Sequence, residues 1–67
     1  MINIKANGKD YELAEALTIA KFIENCGYKP QRCVVEFNGR AMRLEEFADI
    51  LLQEGDVLEI MSLVAGG

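Results

Sequence analysis

The stretch TIAKFIENCG, residues 18–27, predicts one short helix with its own start and stop signals. Thr18 stands directly before the apolar positions, where a threonine hydroxyl can accept a hydrogen bond from an unpaired backbone amide of the first turn. Gly27 follows the last helical position, and glycine adopts the left-handed conformation that ends many helices. We therefore expect the helix to begin at Ile19 rather than near Tyr11.

Two Asn-Gly pairs flank this helix and predict two hairpins. Asn7-Gly8 and Asn38-Gly39 combine the residue types that best tolerate the positive φ angles of a two-residue turn. The segments around them alternate apolar and polar residues or are rich in β-branched and aromatic residues, as strands are. The expected strands cover residues 1–6, 9–13, 33–37, 40–42 and 57–63.

A second, shorter helix is expected over residues 44–52. It would place one apolar stripe toward the core, formed by Leu44, Phe47, Ala48 and Leu51. The predicted core as a whole consists of Ile4, Leu13, Phe22, Ile23, Val35, Phe37, Phe47, Leu51, Leu58 and Ile60.

The resulting order of elements predicts an α+β fold, in which a mixed sheet of four to five strands surrounds one main helix. A chain of 67 residues has room for one core, so we expect a single domain over residues 1–63. Residues 64–67 are expected to be a flexible tail, because a chain end that is not tied down orders poorly.

The composition excludes several classes of function. The chain has no histidine, which excludes a histidine-ligated metal site and histidine-based catalysis. The net charge of −4 argues against nucleic-acid binding, which needs clustered basic residues. No signal peptide or membrane-spanning run is recognisable, so we expect a cytoplasmic protein that does not associate with a membrane. We also expect it to be a monomer without a bound metal.

The charge is unevenly distributed along the chain. All seven basic residues precede position 44. The residues after that position carry only acidic charges, namely Glu45, Glu46, Asp49, Glu54, Asp56 and Glu59. Such a segment favours a basic partner, although it is equally typical of a surface that keeps a protein in solution.

The two cysteines, Cys26 and Cys33, have no recognised metal or redox spacing. We interpret them as buried free thiols in a reducing compartment, because free cysteine most often packs as a small apolar residue. A role as persulfide carriers would require exposed, electropositive surroundings.

The sequence ends in Val64-Ala65-Gly66-Gly67. Glycines leave a terminal carboxylate sterically bare and let the backbone pass through a narrow channel. A partner enzyme could then reach the carboxylate of Gly67 and activate it by adenylation. A sulfur nucleophile would give a thiocarboxylate, and an amine would give an isopeptide bond.

With this tail, the order of elements resembles the β-grasp, ubiquitin-like sulfur carriers, and among them the ThiS family of thiamine biosynthesis, related to the small subunits of molybdopterin synthase. The resemblance rests on the segments 34–39, 46–47, 54–56 and 64–67, and it extends over essentially the whole chain. Phe47 stands where the family commonly has tryptophan, and Arg43-Leu44 where it commonly has Pro-Arg.

The resemblance implies a protein co-substrate rather than an enzyme. An E1-like (ThiF-like) adenylyltransferase would adenylate Gly67 with ATP and magnesium, and a persulfide donor would supply the sulfur. A thiazole synthase (ThiG-like) would accept it from the thiocarboxylate. The carrier itself would bind no cofactor.

If the tail enters a partner enzyme, the surface at its base must dock there. With Leu58 and Ile60 directed inward, alternation turns the neighbouring positions of the last strand outward. Together with the adjacent strand they form what we call the docking patch, defined as Val34, Glu36, Glu59, Met61 and Leu63. Scattered surface apolar residues are also normal and need not bind anything.

Three other functions stay open at this point. The first is a ubiquitin-like modifier that conjugates to lysine through Gly67. The second is a sulfur carrier for another pathway, such as molybdopterin synthesis. The third is an interaction domain without terminal chemistry.

Overall fold

The computed structural model describes residues 1–63, which form a five-stranded mixed sheet with one helix against one face. The elements are β1 (Ile2–Ala6), β2 (Lys9–Leu13), α1 (Ile19–Asn25), β3 (Cys33–Phe37), β4 (Arg40–Met42) and β5 (Val57–Ser62). The strand order is β2-β1-β5-β3-β4. β1 and β5 are parallel and all other pairs are antiparallel. The predicted α+β class is confirmed, and the predicted tail, residues 64–67, lies outside the described residues.

The helix has the boundaries that its capping residues predict. The Thr18 hydroxyl accepts a hydrogen bond from the Lys21 amide at 3.1 Å, and α1 begins at Ile19. Gly27 follows its end with a φ of +94°, the left-handed conformation expected of it. Across residues 1–63, no helix has the length and apolar character needed to span a membrane.

Both predicted hairpin turns are present. Asn7 and Gly8 have φ angles of 52° and 81°, and Asn38 and Gly39 have 50° and 86°. Two successive positive φ angles define the type I′ turn, whose twist matches that of the flanking strands. These turns fix the register of β1 with β2 and of β3 with β4.

The core lies between the inner face of the sheet and α1. Its fully buried large side chains are Ile19, Ile23, Val35, Phe47, Leu52 and Leu58. Most of the predicted core is confirmed, with Phe37 and Ile60 half-buried against it. Leu51 was wrongly placed there, because 53% of its surface is exposed.

The predicted second helix is also wrong. Only a 3₁₀ turn forms, at Leu44–Glu46, and of the predicted stripe only Phe47 is buried. The first amides of a helix have no partner within it. Here the amide of Ala20 donates to the Phe47 carbonyl at 3.1 Å, and that of Ile19 donates to the Ile50 carbonyl at 3.0 Å. These two carbonyls thus accept from α1 rather than from amides further along a second helix.

Candidate functional site

The outer face of the sheet, opposite α1, carries the docking patch. Val34 on β3 lies directly across from Met61 on β5, and Glu36 lies across from Glu59. Val34 and Met61 are 49% and 66% exposed, and both glutamates are exposed as well. The predicted outward orientation of these four side chains is confirmed, whereas their role in docking stays a prediction.

Leu63, the fifth patch residue, lies just beyond the central strand of the sheet. Its side chain is 65% exposed, and its backbone amide donates to the Arg32 carbonyl at 2.8 Å. That hydrogen bond ties the Leu63 backbone to the residue before β3. The docking patch therefore lies directly beside the point where the chain leaves the sheet.

A shallow apolar groove of about 340 Å³ runs across the patch. Its lining consists of Val34, Val35, Glu36, Ala41, Glu59, Ile60 and Met61. Ala41 was not among the predicted patch residues. It pairs with Glu36 across the β3–β4 hairpin, so the register set by the Asn38-Gly39 turn was the signal that could have found it.

The two glutamates of the patch, Glu36 and Glu59, face each other with no positively charged side chain paired to either among residues 1–63. Among residues 1–63, neither carboxylate has a hydrogen bond or an ion pair. Elsewhere on this face, Lys5 of β1 pairs with Asp10 of β2 at a distance of 3.8 Å between Nζ and Oδ1. The sheet thus places opposite charges across one strand pair and like charges across the pair that forms the patch.

Asn7 positions the part of β5 that carries the patch, a role that the sequence did not suggest. Its Oδ1 accepts from the Ile60 amide at 2.7 Å, and its Nδ2 donates to the Ile60 carbonyl at 3.0 Å. The backbone pairing of β1 with β5 stops at Ala6 and Leu58. The Asn7 side chain therefore continues this ladder by one further pair of hydrogen bonds.

Asn38 holds the opposite end of β5 from the other side. Its Oδ1 accepts from the Val57 amide at 2.8 Å, and its Nδ2 donates to Oδ1 of Asp56 at 3.1 Å. The asparagines of both hairpin turns thus bind the central strand. Their left-handed backbone conformation was predictable from the Asn-Gly pairs, but their long-range hydrogen bonds were not.

The cysteines differ from the prediction in their burial. Cys26 is exposed and Cys33 is half-buried, and both are free thiols. Cys26 is the C-cap residue of α1, one position past the end of the helix, and the burial of the apolar helix face does not extend to it. Partial burial raises the pKa of both thiols, and the Cys33 Sγ donates to the Lys29 carbonyl at 3.3 Å. A raised pKa leaves less of the nucleophilic thiolate, so these thiols are not activated.

The predicted tail residues Val64, Ala65, Gly66 and Gly67 lie outside the described residues. Their assignment as the segment that enters a partner, with Gly67 as the activated residue, stays a prediction. What the described residues contribute is the surface at the base of this segment.

The comparisons with known proteins agree with this architecture. The crystal structure of a thiamine biosynthesis protein (ThiS) from Geobacter metallireducens is 26% identical in sequence, covers 98% of this chain and 100% of its own, and superposes with a TM-score of 0.80. A solution NMR structure of a thiamine biosynthesis protein from the same organism is 25% identical, with coverages of 98% and 88% and a TM-score of 0.78. Among curated proteins, none matches the chain. The ThiS family model matches residues 4–67, and the chain therefore belongs to the ThiS family.

Proposed function

We propose that this protein is a sulfur carrier of thiamine biosynthesis and that its sulfur is held as a thiocarboxylate on Gly67. The observation that carries the proposal is the family match, which extends over residues 4–67 and so includes the diglycine. The solved structures of thiamine biosynthesis proteins support it, because they share the fold over nearly the whole chain. The proposal takes Gly67 as the carboxyl terminus of the mature protein.

The proposed chemistry follows from the low reactivity of a carboxylate. The Gly67 carboxylate attacks the α-phosphorus of ATP, and pyrophosphate leaves. A persulfide sulfur then attacks the acyl carbon of the adenylate, and AMP leaves. Cleavage of the sulfur–sulfur bond by a thiol releases the thiocarboxylate, with the thiol supplying the two electrons. The carrier provides the acyl group and binds none of the nucleotide.

The partners in this proposal are an E1-like adenylyltransferase, a persulfide donor and a thiazole synthase. ATP and magnesium bind to the adenylyltransferase, and the docking patch binds the partner that receives the tail. The raised pKa of both thiols supports sulfur transfer at the terminus rather than at a cysteine. Two free cysteines are also typical of a reducing compartment, so we keep the cytoplasm as the expected location.

The test is adenylation of the purified protein by the E1-like adenylyltransferase of its own genome. We expect exchange of labelled pyrophosphate into ATP with the full-length protein and none with a variant that lacks Gly67. A matched variant with Glu12→Gln, on the distant strand β2, should react like the parent. Exchange that is independent of Gly67 would contradict the proposal, and isopeptide adducts on lysines would favour a protein modifier instead.

A further inference from the structure

We propose that Glu36 and Glu59 together bind one arginine side chain of the activating enzyme, whose apolar surface fills the groove beside them. This inference rests on the proposed function and specifies how the docking patch recognises its partner. It draws on the register of β3 with β5, the missing counter-charges and the shape of the groove.

The first argument is energetic. Like charges placed directly opposite each other on neighbouring strands destabilise a sheet. Glu36 and Glu59 are such a pair, and no described residue neutralises them. The folded carrier retains an unfavourable pair beside the exposed apolar side chains of Val34 and Met61. A cation supplied by a partner removes that repulsion.

The second argument is geometric. Side chains directly opposite each other in an antiparallel pair have Cβ atoms about 4.5–5.5 Å apart. Two glutamate side chains that start from Cβ atoms at this spacing can both reach one planar guanidinium group, whose five N–H donors are enough for two carboxylates. The adjoining row of Val34 and Met61 offers an apolar surface to the aliphatic stem of the same side chain. Arginine suits such a site better than the compact ammonium group of lysine.

The third argument excludes a second copy of this chain as the occupant. The protein carries a net charge of −4, and its basic residues all precede position 44. Pairing two docking patches face to face would bring two Glu36 and two Glu59 carboxylates together around one groove. Such a contact concentrates negative charge, whereas a basic partner neutralises it. The groove thus fits a partner of opposite charge.

The test is binding of the purified adenylyltransferase to the parent and to Glu36→Gln, Glu59→Gln and the double variant. We expect the double variant to raise the Kd about tenfold or more, because truncating a charge pair affects binding strongly. Association should also become slower and less dependent on salt. Glu12→Gln, which removes one charge from the same face of the sheet as each single variant does, should leave the Kd within about twofold of the parent.

Thermal unfolding separates this role from a structural one. Removing a repulsive pair should leave the melting temperature of the double variant equal to that of the parent or higher. A Glu36→Gln, Glu59→Gln double variant that binds as tightly as the parent would overturn the inference. A parent Kd that does not change with salt concentration would also overturn it, without any variant.

Carbodiimide cross-linking tests the assignment of arginine, because it joins a carboxylate to a lysine amine but not to a guanidinium. We expect no cross-link from Glu36 or Glu59, and a lysine cross-link would overturn the assignment. Failure of the proposed function looks different: the parent itself would be neither bound nor adenylated. If the parent is adenylated and the glutamate variants bind equally well, only the present inference fails.

Discussion

Replacing Asn7 with glycine removes one pair of hydrogen bonds and little else. Glycine adopts the positive φ of 52° at this position readily, and the backbone bond from residue 7 to the Leu58 carbonyl at 2.9 Å can persist. The bonds lost are those to the Ile60 amide at 2.7 Å and to the Ile60 carbonyl at 3.0 Å. The substitution therefore measures the contribution of the two side-chain hydrogen bonds by which Asn7 extends the β1–β5 ladder.

The expected effect follows from these two bonds. A protein hydrogen bond contributes about 0.5–1.5 kcal/mol net, so Asn7→Gly should lower the free energy of unfolding by about 1–3 kcal/mol. For a domain of this size, each kcal/mol corresponds to a decrease of about 4–8 °C in the melting temperature. The local effect should be a faster amide hydrogen exchange at Ile60, because its amide loses its partner.

Thermal denaturation and NMR-detected hydrogen exchange measure both effects. Asn38→Gly is the matched control, since the Asn38 side chain binds the Val57 amide instead. Asn38→Gly should speed hydrogen exchange at the Val57 amide and leave the Ile60 amide as protected as in the parent. An Asn7→Gly protein with unchanged protection at Ile60 and an unchanged melting temperature would refute the reasoning, because the side chain would then not hold this part of β5.

Three further substitutions or titrations test the fold around the site. Phe47→Ala should lower the free energy of unfolding by about 3–5 kcal/mol in urea denaturation, because this side chain is fully buried; a loss below about 1 kcal/mol would contradict its place in the core. Thr18→Ala should lower it by about 0.5–2 kcal/mol through loss of the helix cap, whereas Thr18→Ser should preserve it. In a Cys26→Ser background, alkylation of Cys33 should rise with pH around a midpoint above the ordinary pKa of cysteine. Burial favours the neutral Cys33 thiol in the folded protein. The stability that this thiol contributes is therefore present below its pKa in the unfolded chain and decreases as the pH rises through its pKa in the folded protein. A midpoint at or below the ordinary value would show that burial does not act on this thiol.

The sequence predicts the hairpins, the helix and the outward side of β5 because each depends on local chemistry. Asn-Gly pairs specify the turns, Thr18 and Gly27 bound α1, and strict alternation in β3 and β5 separates Val35 and Leu58 from the outer face. Once the order of elements is known, the pairing of β5 with both β1 and β3 brings the patch to the centre of the sheet.

The segment after β4 could not be predicted in this way, because its conformation is set by partners far along the chain. Local periodicity in residues 44–52 favours a helix, but the carbonyls of Phe47 and Ile50 bind the first amides of α1 instead. With the chain held in this non-helical conformation, the Leu51 side chain is exposed and the Leu52 side chain is buried. The hydrogen bonds of Asn7 to Ile60 escape prediction for the same reason, since they join positions that only the folded sheet brings together.

The measurement that tests the account most directly is the intact mass of the protein before and after incubation with its adenylyltransferase, ATP, magnesium and a persulfide source. The account predicts a gain equal to replacing one oxygen atom by sulfur, located on Gly67 and absent from a variant that lacks this residue. It also predicts the same gain in a variant with both Cys26→Ser and Cys33→Ser. An unchanged mass after adenylation, or sulfur found on a cysteine, would contradict sulfur carriage at the carboxyl terminus.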